Sequence, residues 1–275
     1  MGNIVWLASY PKSGNTWLRA FLANLIANRE TPLKPSELRD FGDAEALAGR
    51  FAELAGRSNT DLSATELAAM RLRVHALIAQ RARGTLLVKT HNFNGSFEGY
   101  PLINWEVTAG AIYVVRNPLD VAVSMTHHFG LSIEEAIGRL ADERVTSVND
   151  ELFASDFIGS WSSHVAGWAD MAERAPGRMI VLRYEDLLEN PAKHFAKAAT
   201  LIGLGHDKAR IERAVNHATF QTLSALERKH GFVEAVDENT QFFFKGRANQ
   251  WREVLSREQV QRIVDDHRGQ MVRFK

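Results

Sequence analysis

Ile4-Val5-Trp6-Leu7-Ala8-Ser9-Tyr10-Pro11-Lys12-Ser13-Gly14-Asn15-Thr16-Trp17 decides how this chain is read. The unbroken apolar run at 4–8 fits a strand covered on both faces. Beyond it Trp17, Leu18, Phe21, Leu22, Leu25 and Ile26 recur at helical spacing, so a helix follows a short Ser-Gly loop. Such a junction points unpaired backbone N–H groups and the positive helix end at one spot, which suits an anion. Gly14 permits a tight backbone, Ser13 and Thr16 offer hydroxyls, Lys12 adds a point charge, and Trp17 offers a ring face. The plain alternative is an ordinary strand-to-helix turn with a solvated lysine. It is not a Walker A loop, in which Lys follows the second Gly, because Lys12 precedes the only Gly here.

Working outward, further short apolar runs stand at Leu86–Val88, Ala111–Val115 and Met179–Leu182, separated by long helical patterns. That alternation predicts βαβ units and an α/β fold with a central parallel β-sheet flanked by helices. Residues 30–84 and 131–175 read as mostly helical, with Trp161 and Trp168 as core anchors; Asn190-Pro191 marks a turn into another helix, and 228–250 reads as a long loop. Neither repeats nor a linker divides the chain, so one domain over 1–275 is expected.

Composition bounds the function. Of 275 residues, 45% are hydrophobic, enough for a sizeable core and too many for a disordered chain. The 33 basic and 33 acidic side chains cancel, which argues against a general nucleic-acid binder and makes any anion site local. Cys is absent, so neither disulfide nor thiolate metal site exists. Residues 1–9 lack a secretory pattern and no segment reaches a membrane span of roughly 18 apolar residues, so a soluble, cytoplasmic protein is expected. The sequence carries no dimer motif.

Two more constellations lie at strand ends. In Arg116-Asn117-Pro118-Leu119-Asp120-Val121-Ala122-Val123-Ser124, Asn117 is a good N-cap, Pro118 a good first helical residue and Asp120 a first-turn acid. A capped helix explains those three but leaves Arg116 over, whose rigid donor fork suits phosphate. Ser124 stands roughly 10 Å further along the helix axis. Lys89-Thr90-His91 ends the second strand. The other histidines, His127 and His128 included, are expected to be surface or satisfied residues, and no spacing of metal ligands appears. Ligands of open parallel sheets bind outside the carboxyl ends of strands, and three successive strands end in Lys12-Ser13-Gly14, Lys89-Thr90-His91 and Arg116.

These residues resemble the sulfotransferases that use 3′-phosphoadenosine 5′-phosphosulfate. Tyr10 to Trp17 is similar to that family's 5′-phosphosulfate loop, Arg116 to Ser124 to its 3′-phosphate motif, and Lys89-Thr90-His91 to the segment with its catalytic histidine. Tyr184-Glu185-Asp186-Leu187 resembles a further nucleotide-contacting segment, and Phe243-Phe244-Lys245-Gly246-Arg247 through Trp251 resembles the late loop that closes on the 3′-phosphate. The order is the family's from residue 4 to 251. The late loop departs from it: Phe244 stands where Arg is usual, and Arg247 is the candidate replacement. Asn15 stands where Thr is common and Phe93 where Pro is common.

The resemblance implies a P-loop-like nucleotide-binding fold and a PAPS-dependent transfer of sulfate to a small-molecule acceptor, with PAP as product and no metal. His91 would be the general base, Lys12 would neutralise charge on the bridging oxygen, and Lys89 would steady the sulfuryl oxygens. Ser124 would hold Lys12 and the 3′-phosphate, and Trp17 would pack on the adenine. Ser13, Gly14, Asn15, Thr16, Arg116, Tyr184, Thr219, Phe220, Lys245, Gly246 and Arg247 would complete the nucleotide site. Two other readings stay open: a P-loop kinase, and a nucleotide-binding protein without turnover. The Phe residues near 232 and 242–244 fit either an apolar lid over the acceptor or core packing beneath one.

Overall fold

The computed structural model describes residues 2–232, 234, 241–243 and 245–275. Chain order runs β1 (Ile4–Ser9), α1 (Asn15–Ala27), β2 (Asp43–Ala44), α2 (Ala48–Ala55), α3 (Ala64–Arg81), β3 (Leu86–Thr90), β4 (Ser96–Phe97), β5 (Tyr100–Pro101) and β6 (Thr108–Val115). It continues with α4 (Pro118–Phe129), α5 (Ile133–Ala141), α6 (Trp161–Arg174), β7 (Met179–Arg183), α7 (Tyr184–Glu189), α8 (Pro191–Leu201), α9 (Lys208–His217), α10 (Phe220–His230) and α11 (Arg257–Arg273).

Five strands form a parallel sheet in the order β2-β3-β1-β6-β7, as the alternating pattern implies. β1 lies at its centre, and its register pairs Ala8 with Thr90 on one side and Ser9 with Val114 on the other. The strands therefore stop at one level, and the residues after each of them emerge side by side.

Strand alternation sends side chains to two cores. Ile4, Trp6 and Ala8 of the first strand, and Tyr10 just beyond it, pack with Tyr113, Leu67, Trp161 and Trp168 on one face. Val5 and Leu7 pack with Leu18, Phe21, Leu22 and Phe195 on the other, where Phe21 stacks on Phe195 at 4.3 Å. Burying each of the Val, Leu, Ile and Phe side chains among them contributes about 1.5–3 kcal/mol.

Two expectations need correction. The 30–84 stretch holds α2 and α3, but it also supplies the edge strand β2, two residues long and too short for any periodicity to reveal. Within 131–175, residues 142–160 lie outside helices. There Asp142 accepts from the Arg144 N–H and Asp150 from those of Leu152 and Phe153, local bonds that compete with the helical ladder. Among the described residues, no helix is long and apolar enough to cross a membrane.

Candidate active site

The first loop is built around an open helix end. The Ser13 N–H donates to the Tyr10 carbonyl at 3.3 Å, and Lys12 and Gly14 take φ of 66° and 107°. Gly14 is required twice over, since a Cβ there would also stand 2.7 Å from the Tyr184 ring. No side chain caps α1; Asn15 instead donates its amide to the Leu7 carbonyl at 2.8 Å, tying the helix to the central strand. The first-turn N–H groups are left for a ligand. The Ser13 hydroxyl and the Arg116 Nε are buried without a hydrogen-bond partner among the described residues, which fits a phosphate-bearing occupant.

Arg116 joins this loop to Tyr184 at the start of α7. Its Nη1 donates to the Lys12 carbonyl at 3.0 Å while the guanidinium lies 4.4 Å above the Tyr184 ring. Trp17 meets Tyr184 edge-on at 5.7 Å and Phe195 at 5.2 Å. Asn117 caps α4 through the Leu119 N–H at 3.0 Å, and its own N–H donates to Glu185 at 3.0 Å. Lys12, Ser13, Gly14, Trp17, Arg116 and Tyr184 thus share one corner. Ser124 is half-buried on α4 and makes no hydrogen bond with Lys12; the lysine Nζ lies 4.3 Å from the centre of the Phe242 ring.

Burial and the neighbouring Arg116 and Lys89 push the Lys12 ammonium down to about 7. Burial, with Lys89 beside it, likewise pushes the His91 imidazole down to about 3, so the ring is neutral at physiological pH. His91 Nδ1 lies 2.8 Å from the Ser9 carbonyl. A carbonyl only accepts, so Nδ1 carries the proton and the lone pair is on Nε2.

The strand tip that carries His91 is held from behind. Glu45, fully buried, accepts from Arg71 at 2.9 Å, Thr90 at 2.6 Å and Asn92, and lies 2.6 Å from His75 Nε2. Burial alone would raise the Glu45 carboxyl, but Arg71 and His75 outweigh it and hold it well below the usual carboxylate range. From α6, His164 Nε2 donates to the His91 carbonyl at 3.1 Å, its Nδ1 accepts from Tyr113 at 3.0 Å, and Trp168 donates to the Asn92 carbonyl at 3.0 Å. Sequence reasoning placed His164 among the bystanders and passed over Glu45. The spacing of Trp161, His164, Val165 and Trp168 puts His164 on the buried face of α6, a legible signal; Glu45 offers none.

The late loop is pinned at both ends. Glu227 accepts from the Phe242 and Phe243 N–H groups at 2.5 and 3.0 Å, and Asp120 accepts from those of Asn249 and Trp251 at 2.7 and 3.1 Å. Asp120 therefore does more than support the first turn of α4. Gly246, at φ 59°, runs against Phe220, where a Cβ would meet the ring at 2.2 Å; Thr219 caps α10 through Thr222. Lys245 is exposed, Arg247 is exposed and paired with Glu253 at 2.6 Å, and Phe244 falls outside the described residues. Phe232, Phe242 and Phe243 cluster at 4.9–5.5 Å, with Phe242 also facing His128, so this cluster abuts the Lys12 corner. Burial and Lys12 push His128 down to about 4.

Four groups meet between the first loop and the tip of β3. Glu234 accepts from Thr16 at 3.2 Å and Arg19 at 2.5 Å, and stands 3.9 Å from Lys89. One carboxylate spans both tips, so Thr16 and Lys89 face a common space. Among the described residues, no three His, Cys, Asp or Glu side chains gather as a metal-binding group.

The model of the sulfotransferase domain matches residues 3–275. The chain belongs to the sulfotransferase family. This sulfotransferase is 25% identical to mouse sulfotransferase 1B1 over 95% of the chain and 80% of that protein. With a flavonol 3-sulfotransferase of Flaveria bidentis it shares 27% identity, over 97% of the chain and 82% of the relative. The crystal structure of mouse sulfotransferase SULT7A1 complexed with PAP superposes at a TM-score of 0.63 and 18% identity, over 98% of this chain and 85% of that one. The sheet and its flanking helices are thus those of a known sulfotransferase fold.

Proposed function

We propose that the chain acts as one domain that transfers a sulfuryl group from 3′-phosphoadenosine 5′-phosphosulfate to a hydroxyl or amine of a small-molecule acceptor. In this reading the acceptor's oxygen or nitrogen forms a bond to sulfur while the bond from sulfur to the bridging oxygen breaks. The acceptor proton goes to His91 Nε2, and adenosine 3′,5′-bisphosphate leaves. Sulfuryl transfer, like phosphoryl transfer, depends mainly on positioning and charge stabilisation.

The single observation that carries the reading is the bond from His91 Nδ1 to the Ser9 carbonyl, which leaves Nε2 unprotonated beside Lys89 and one strand away from the anion loop. A neutral ring with a fixed tautomer is what a general base needs. Lys12, the first-turn amides of α1 and the Ser13 hydroxyl hold the 5′ end of the donor; Lys12 neutralises charge on the bridging oxygen and Lys89 steadies the sulfuryl oxygens. Arg116, with Ser124 further along α4, takes the 3′-phosphate, and Trp17 and Tyr184 border the adenine. Thr219, Phe220, Lys245, Gly246 and Arg247 lie on the segments assigned to closing the nucleotide site, and the acceptor enters on the His91 side.

A thermal-shift comparison tests the donor. Stabilisation by adenosine 3′,5′-bisphosphate and none by ATP with Mg²⁺ is expected; the reverse result selects a kinase-like phosphotransferase. Incubating the protein with the sulfate donor and a panel of hydroxylated small molecules, read by mass spectrometry, tests turnover. Nucleotide binding without a sulfated product from any of them would point to a binding protein.

A further inference from the structure

The carboxylate of Glu234 lies where an anion would be expected, yet it belongs to the protein. Its partners come from two elements that otherwise face the donor: Thr16 and Arg19 on α1, and Lys89 at the tip of β3. Burial would raise the Glu234 carboxyl, but Lys89 and Arg19 hold it down at about 2. The cradle is not sealed: the side chains of Arg19, Glu234 and Lys89 are 17%, 24% and 26% exposed. An anion arriving from solvent can therefore exchange with the carboxylate.

The remaining charges favour such an exchange. Among the described residues, neither Lys12 nor Arg116 is in ion-pair contact with a carboxylate, and both lie against aromatic rings, Phe242 and Tyr184. Glu227 also acts on Lys12, and Asp120 and Glu185 act beside Arg116 at Tyr184, but among the described residues none of these carboxylates comes within ion-pair distance of Lys12 or Arg116. A ligand with several negative charges satisfies Lys12, Arg116 and the cradle together, which a single carboxylate does not.

We propose that Glu234 is a resident counter-ion of the donor site: its carboxylate occupies the place of the donor's 5′ anionic group, which binds by displacing it. The inference rests on the donor reading above and adds to it a competing side chain, with Arg19 as its anchor. Apparent affinity is then lowered by the fraction of time that the cradle is filled. Displacement also gives the product a competitor that favours its release.

The test measures binding of two nucleotides to the full chain and to Glu234→Gln, which keeps the shape and removes the charge. Calorimetry should show adenosine 3′,5′-bisphosphate binding about tenfold tighter to the variant, corresponding to a cradle open about a tenth of the time. Adenosine 3′-monophosphate, which has no 5′ group to compete, should bind both proteins equally. An unchanged affinity for the bisphosphate overturns the proposal, and so does an equal gain for both nucleotides, which would indicate a long-range field rather than occupancy. Failure of the bisphosphate to bind either protein removes the donor reading itself, and the counter-ion with it.

Discussion

The platform at the strand tips and the late loop opposite it are built by different means. The platform is covalently close to the sheet: Asn15 bonds back to Leu7, Arg116 holds the Lys12 carbonyl, and His91 leans on Ser9. The late loop makes local contacts of its own, Arg247 with Glu253 and the Gln250 amide with the Arg247 carbonyl, but its ends are held from outside it. Two carboxylates on helices, Glu227 of α10 and the distant Asp120 of α4, hold its ends through backbone N–H groups. The difference teaches where precision is kept: Lys12, His91 and Arg116 follow closely on strands of the sheet, while the late loop is held through backbone N–H groups by carboxylates of other elements.

The sharpest way to break the platform is from behind. Glu45→Ala strands the fully buried Arg71 and should lower unfolding stability by about 3–5 kcal/mol in denaturant titration. A loss under about 1 kcal/mol would show that the buried hub does not support the strand tip. On its front, His91→Ala should cut kcat by roughly 10² or more while bisphosphate affinity stays within about twofold; near-normal turnover would take the base role from His91. Arg116→Ala should weaken bisphosphate binding about a hundredfold, in the range of a lost charge-assisted contact, and an unaltered dissociation constant would detach Arg116 from the 3′-phosphate.

The pH dependence of binding probes the platform without mutation. The Lys12 ammonium is pushed down to about 7 in the free protein, and a bound anion raises it again. Binding therefore takes up a proton above about pH 7, so affinity should fall as pH rises, by up to about tenfold per unit. Calorimetry in buffers of different ionisation enthalpy reads that proton directly, and a pH-independent affinity between 7 and 9 would contradict it. For the loop the expected effect is smallest. Asp120→Ala frees the Asn249 and Trp251 amides and should weaken bisphosphate binding only about three- to tenfold; a loss as large as that of Arg116→Ala would mean that the loop is no less rigid than the platform.

What the sequence discloses follows the same division. The anion loop at 10–17 and the capped helix after Arg116 are legible because their chemistry is local: a glycine at positive φ, an Asn cap, a Pro at the first helical position. The parallel sheet follows from continuous apolar runs. Glu45 is invisible because its partners arrive from Arg71, His75, Thr90 and Asn92, positions that only the fold brings together. Glu234 is hidden for the same reason, its partners Thr16 and Arg19 being more than two hundred residues away. The edge strand β2 escapes notice because two residues carry no period.

The left-handed torsion at Lys12 leaves a mark on how this protein can change. A side chain held at φ 66° costs on the order of 1 kcal/mol that Gly would avoid. Selection in the laboratory for heat tolerance alone would be drawn to that codon and would discard the ammonium with the strain. Any campaign to harden the enzyme should therefore screen for turnover in every round, because one gain in robustness is open at the very residue to whose charge the proposed transfer assigns a role.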